Sequence, residues 1–211
     1  MTKQQEAKMI LQEITKLYPD ATIELNYSQS HELLIAIMLS AQTTDVSVNR
    51  VTEKLFKDFT SLEDYANADI EVLENYIRTI GLYHNKAKNL KRLSQMILER
   101  FDGVVPNRQE DLESLPGVGR KTANVYLAEY YKIPRIAVDT HVKRVSVRLG
   151  MAKKGDSPLV VEKKLMKLYK PEEWITLHHK LIHFGRYFCK AKKPNCQICP
   201  LLSICKMPVI K

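Results

Sequence analysis

The sequence predicts an all-α protein, and three observations carry that prediction. Apolar residues recur every three or four positions along most of the 211 residues, the period of a helix face turned to a core. Stretches that alternate polar and apolar, as a half-buried strand does, are scarce. The overall balance, 45% hydrophobic and 27% charged, is that of a folded globular chain. About ten helices are expected.

Taken in order, His31 to Ala41 is apolar nearly all round and predicts a buried central helix. Val48, Val51 and Leu55 place one face of a second helix inward. Leu73, Ile77 and Ile80 do the same for a third, with Gly81 expected as its C-terminal cap. Leu90, Leu93 and Ile97 form the next stripe, ending near Gly103. Asn107 with Glu110 reads as a capping box for a helix to about Leu115. A helix from about Val118 to Tyr131 turns Ala123, Tyr126, Leu127 and Tyr130 to one side and is expected to stop at Pro134. Asp139 or Thr140 caps a helix bearing Val142, Val145, Ser146 and Leu149, closed by Gly150. Ser157-Pro158 starts another. Leu177, Leu181, Phe184 and Phe188 line the last long one.

The longest apolar run, Leu33 to Leu39, is far short of the roughly 20 residues that span a bilayer. The start MTKQQEAKM lacks an apolar core of the kind that directs export. Neither membrane insertion nor secretion is expected. The formal charge of +9 favours an anionic partner such as nucleic acid, which basic proteins hold by releasing counterions.

All four cysteines, Cys189, Cys196, Cys199 and Cys205, crowd into one 17-residue stretch as C-x6-C-x2-C-x5-C. A disulfide framework ties distant segments of secreted folds together; this pattern instead reads as a metal site. Four thiolates suit a tetrahedral zinc or an iron–sulfur cube. Zinc usually draws on two close pairs, whereas this string has one close pair flanked by single ligands, with Pro200 after Cys199 as in ferredoxin-type runs. Lys190, Lys192, Lys193 and Lys206 surround the thiols, able to offset a cluster's negative charge or to face phosphates. Composition does not separate a redox role from a brace.

LPGVGRKTAN, Leu115 to Asn124, places Gly117 and Gly119 between two helices. Such a turn lets main-chain N–H groups point outward beside the positive end of the second helix, a nest for a phosphate. It equally describes an ordinary helix–helix corner. Lys121 follows Arg120 in the first turn of that helix. It reads either as one more phosphate lysine or as a nucleophilic amine, the neutral form being favoured by a helix N-terminus, an adjacent cation and partial burial. Asp139 serves as a cap and is also able to stabilise positive charge on a sugar or move a proton. His141 is a candidate phosphate contact or simply a surface residue.

With these residues in view, the chain resembles the endonuclease III family of helix–hairpin–helix DNA glycosylases and lyases. The match rests on LSAQTTD (Leu39 to Asp45), GLYHNKA (Gly81 to Ala87), LPGVGRKTAN with VDTHV, and the cysteine string. The resemblance implies two lobes with DNA between them. A six-helix barrel would take residues 22–133, with the helix–hairpin–helix at about 107–131. The other lobe would combine residues 1–21 with 134–211 and hold a [4Fe–4S] cluster on Cys189, Cys196, Cys199 and Cys205, in the loop 189–205. It implies Lys121 as nucleophile, Asp139 as the essential carboxylate, Gln42 filling the space of an extruded nucleotide and Leu82 wedging into the opposite strand. Gly117, Gly119, Arg120 and His141 would meet the DNA backbone. Asp45, His84 and Asn85 receive no role. The implied substrate is duplex DNA with damaged pyrimidines or abasic sites, and the implied setting is a cytoplasmic, nucleoid-associated monomer.

A monofunctional adenine or thymine mismatch glycosylase of the same superfamily is the nearest alternative. Those enzymes generally lack a lysine at the position of Lys121, and the adenine enzymes add a C-terminal domain for which 211 residues leave no room. A non-enzymatic DNA-binding module with a zinc knuckle is a second. An electron-transfer protein would leave the hairpin and its lysine idle.

Overall fold

The Thr2 hydroxyl accepts from the Gln5 N–H while the Gln5 side chain accepts from the Thr2 N–H, a capping box that launches α1 (Lys3–Leu17). The computed structural model describes residues 1–208, and among the described residues the regular elements are eleven α-helices with a few short 3₁₀ and π turns. The chain divides into two units, residues 24–131 and residues 1–23 together with those from 132 onward.

In the first unit, α2 (Ser30–Leu39) is the buried centre. Leu33, Leu34, Ile35, Ala36 and Leu39 are wholly inside, each large one contributing about 1.5–3 kcal/mol of burial. Glu32 closes its N-terminus by accepting from Ser28 N–H, Ser28 hydroxyl and Gln29 N–H at 2.6, 2.7 and 3.1 Å. Around it lie α3 (Asp45–Asp58), α4 (Leu62–Asn67), α5 (Ile70–Ile77), α6 (Tyr83–Phe101), α7 (Gln109–Glu113) and α8 (Arg120–Glu129). The periodicity points to six helices in this stretch and passes over α4, whose six residues are too short to show a repeat.

Three expected boundaries move. Helix α5 ends at Ile77, so Gly81 is not its cap; Ile80 stays buried in the turn, and the left-handed residue is Leu82. Helix α7 starts at Gln109 with Arg108 at the cap position and no side-chain cap bond, so Asn107 and Glu110 form no capping box. Helix α8 ends at Glu129, four residues before Ile133 and ahead of Pro134; Lys132 turns left-handed there and Tyr130 is exposed.

The second unit packs α1 with α9 (Thr140–Arg148), α10 (Pro158–Leu168) and α11 (Trp174–His183) around Ile10, Ile14, Val142, Val161, Leu177 and Leu181. Ser157 caps α10 with Pro158 in its first turn. A π turn, Phe184–Phe188, continues α11 to Cys189. The Lys180 ammonium closes the end of α1 by donating to the Tyr18 and Pro19 carbonyls, cation against helix C-terminus. No helix of the described residues is long and apolar enough to cross a membrane.

Candidate active site

The hairpin between α7 and α8 is pinned from inside by Leu115 and Val118, 2% and 5% exposed. Gly117 has φ +78°, and a Cβ there would lie 2.9 Å from Met38 Sδ and 3.0 Å from Asn89 Nδ2. Only glycine meets both the conformation and the space. Gly119 differs: it is exposed, and a Cβ would meet nothing within 4 Å. It is the N-cap of α8 and offers no side-chain acceptor, and the first turn of α8 carries no acidic residue. The opening N–H groups of a helix have no carbonyl a turn back, so this end presents donors and a partial positive charge. Arg120 and Lys121 are exposed on that first turn. The expected partial burial of Lys121 is not found; it is the second residue of a surface helix end.

Gln42 and Leu82 sit in the same unit, and both are exposed with left-handed backbones, φ 55° and 60°. Their loops abut, since a Cβ on Gly81 would lie 3.9 Å from the Gln42 carbonyl oxygen. Leu82 is 55% exposed, an apolar side chain held outward in a conformation that L-residues rarely adopt. Sequence reasoning missed Lys86, which is buried beside these loops and bonded to the Ala41 carbonyl and Thr43 hydroxyl.

Asp139 and His141 belong to the other unit. Asp139 caps α9, its Oδ1 accepting from Val142 N–H at 2.7 Å. The cap uses one of its two carboxylate oxygens. His141 Nδ1 lies 3.2 Å from an Arg144 amino group, which also donates to the Gly185 carbonyl at 2.7 Å. Gly185 permits that approach, because a Cβ there would lie 2.9 Å from the His141 Cβ. One turn further, Arg148 donates to Cys189 Sγ at 3.3 Å, Lys190 O at 2.7 Å and Ala191 O at 3.2 Å. One helix therefore carries the carboxylate at its start and braces the cysteine loop at its end.

All four cysteines line a single small cavity with Arg148 and Phe184. Burial pushes the Cys199 and Cys205 thiols up, and neighbouring cysteines add to the rise. Yet among the described residues no three potential ligands close on one point as a single metal ion requires. Four cysteines walling one cavity beside an arginine and apolar side chains are a donor set that fits an iron–sulfur cube.

Comparison with known proteins agrees. Residues 35–171 match the HhH-GPD superfamily base excision DNA repair protein, and residues 189–205 match the iron-sulfur binding domain of endonuclease III. Endonuclease III of Bacillus subtilis is 50% identical over 206 residues, 98% of this chain and 94% of that one. Endonuclease III of Escherichia coli K12 is 45% identical, covering 93% of each. A trapped endonuclease III–DNA covalent intermediate superposes with TM-score 0.95 at 50% identity, covering 98% of this chain and 96% of that one. A thermostable thymine-DNA glycosylase shares the fold, with TM-score 0.85 at 20% identity. The chain belongs to the endonuclease III family of helix–hairpin–helix base-excision DNA repair proteins.

Proposed function

We propose that Lys121 is the nucleophile with which this chain removes damaged pyrimidines from duplex DNA and then cleaves the strand. The activity itself, DNA glycosylase and abasic-site lyase, is that of the family. The observation that carries the residue assignment is the N-terminal end of α8: an exposed amine two residues beyond an open glycine, among donors that suit a phosphate. Gly117, Gly119 and Arg120 hold the backbone, with His141 as a further contact, and none of them reads sequence.

The Lys121 amine attacks C1′ as the glycosidic bond breaks and the base leaves with its electron pair. The sugar ring opens to an imine on the lysine. That imine acidifies the C2′ protons; loss of one expels the 3′ phosphate by β-elimination, and water then releases the lysine. Asp139 stabilises the charged sugar and handles protons. The duplex itself supplies the desolvation that the exposed Lys121 lacks in the free chain. Gln42 fills the space of the extruded nucleotide and Leu82 enters the opposite strand, an extrusion that is easiest where damage has weakened stacking. Cys189, Cys196, Cys199 and Cys205 hold the [4Fe–4S] cluster, whose contribution is to fix the lysine-rich loop 189–205. The chain acts as a cytoplasmic, nucleoid-associated monomer.

The test is an incision panel with the full chain on duplexes bearing an oxidised pyrimidine, a mismatched adenine or a mismatched thymine. The expected result is base release and cutting 3′ to the oxidised pyrimidine alone, with Lys121→Ala leaving every duplex uncut. Release of a mismatched base without strand scission would replace this reading with the monofunctional one.

A further inference from the structure

Lys86 is 4% exposed, although lysine is almost never buried without a charged partner. Its ammonium donates to the Ala41 carbonyl at 2.8 Å and the Thr43 hydroxyl at 2.9 Å, the residues on either side of Gln42. Its main-chain N–H donates to the Leu82 carbonyl at 3.0 Å, the first turn-closing bond of α6, so the ammonium ties residues 41–43 to the helix turn that Leu82 caps. Burial lowers the Lys86 pKa from its ordinary value, and no carboxylate offsets that. A desolvated cation is an unfavourable way to join two loops unless the oxygens it holds need strong donors. Here both loops carry a residue in the left-handed region, Gln42 and Leu82, and such backbone persists only where its surroundings over-determine it. One residue thus grips both loops, each exposing a side chain to solvent.

We propose that Lys86 is a positioning residue for entry into DNA: by holding residues 41–43 through its ammonium and Leu82 through its main chain, it fixes the separation and aim of the Gln42 and Leu82 side chains. This rests on the reading of Gln42 and Leu82 given above and goes beyond it by naming what sets their geometry. Lys86 touches neither sugar nor base, so its contribution belongs to extrusion and not to the imine chemistry.

The experiment compares Lys86→Met and Lys86→Arg with the parent on two substrates, a duplex with one oxidised pyrimidine and a single strand with a preformed abasic site. The single strand has no partner strand to wedge and no gap to fill. Lys86→Met is expected to slow single-turnover excision from the duplex by about tenfold or more, with cleavage of the single strand changed by less than about twofold. Lys86→Arg, which keeps the donors, recovers part of the loss. In a Gln42→Ala/Leu82→Ala background, Lys86→Met adds less than about twofold, because the residues act as one unit. Equal losses on both substrates, or full additivity in that background, would reduce Lys86 to a fold-stabilising residue. Parent-like duplex excision by Lys86→Met overturns the proposal while leaving the two loops' role intact. Should Gln42→Ala and Leu82→Ala themselves excise at the parent rate, the intercalation reading fails and takes this proposal with it.

Discussion

Two alanine substitutions, two residues apart in the hairpin, should fail in opposite ways. At Gly117 the new Cβ sits 2.9 Å from Met38 Sδ, 3.0 Å from Asn89 Nδ2 and 3.2 Å from Asn89 Cβ, on a backbone with φ +78°. Overpacking costs about 1–3 kcal/mol and the left-handed backbone about 1–2 kcal/mol, roughly 2–5 kcal/mol together. For a chain of this size each kcal/mol moves Tm by about 2–4 °C, so the midpoint should fall by roughly 4–20 °C. At Gly119 the Cβ meets nothing within 4 Å. The lost preference for glycine at an N-cap and the lowered entropy of the unfolded chain nearly cancel, leaving stability within about 1 kcal/mol of the parent. That Cβ instead projects where a phosphate must approach the open end of α8, and affinity should drop by about tenfold, or about 1.4 kcal/mol. Thermal unfolding and titration of an uncleavable abasic-site duplex at fixed salt give the two numbers. Parent-like Tm in Gly117→Ala would refute the packing argument, and parent-like affinity in Gly119→Ala would refute the phosphate nest.

Asp139→Asn keeps a cap-competent side chain, since asparagine caps as well as aspartate. Its stability should stay within about 1 kcal/mol of the parent while turnover falls by about 100-fold or more; unchanged turnover in a kinetic assay would leave Asp139 as a cap alone. Arg148→Leu removes the donors to Cys189 Sγ and to the Lys190 and Ala191 carbonyls. The cluster's absorbance at about 400 nm should then bleach faster in air than in the parent, and equal bleaching rates would deny Arg148 a bracing role. Two carboxyls govern part of the acid response. Main-chain and hydroxyl donors of Ser61 and Thr60 hold Asp64 below its ordinary value, and the Lys164 ammonium does so for Asp156, helped by the Lys153 N–H. A depressed folded value contributes stability above the unfolded pKa and loses it as pH falls through the folded one. An Asp64→Asn/Asp156→Asn double variant should therefore be less stable than the parent at pH 7, and the gap should close as pH falls below the ordinary aspartate range and through the lowered folded values. Urea melts check this, and an undiminished gap in acid would contradict it.

What was legible in the sequence was what is local. The cysteine string, the glycine hairpin and the Asp139 cap each occupy a short window whose residue types state their chemistry directly. Gly117 was readable as a turn residue, but the reason no other residue fits, the Sδ of Met38 and the amide of Asn89, comes from helices far along the chain. The left-handed conformation of Leu82 was hidden because a glycine, Gly81, stood beside it and took the expectation, and Gln42, between Ala41 and Thr43, had no neighbouring glycine to mark it. Lys86 lies four residues into a helix and reads as one more solvated lysine; its burial follows only from the meeting of residues 41–43 with 81–82. Arg148 is equally unremarkable in the sequence, being 41 residues from the sulfur it reaches. Long-range packing decided these, and no periodicity records it.

The central claim is that the ε-amine of Lys121 forms the bond to the sugar. Borohydride reduction of the full chain on a duplex with one oxidised pyrimidine, followed by digestion and mass spectrometry of the cross-linked peptide, measures this directly. The account predicts a reduced sugar adduct on Lys121 and no adduct from Lys121→Ala. An adduct on another residue of the parent, or a normal yield from Lys121→Ala, would contradict it.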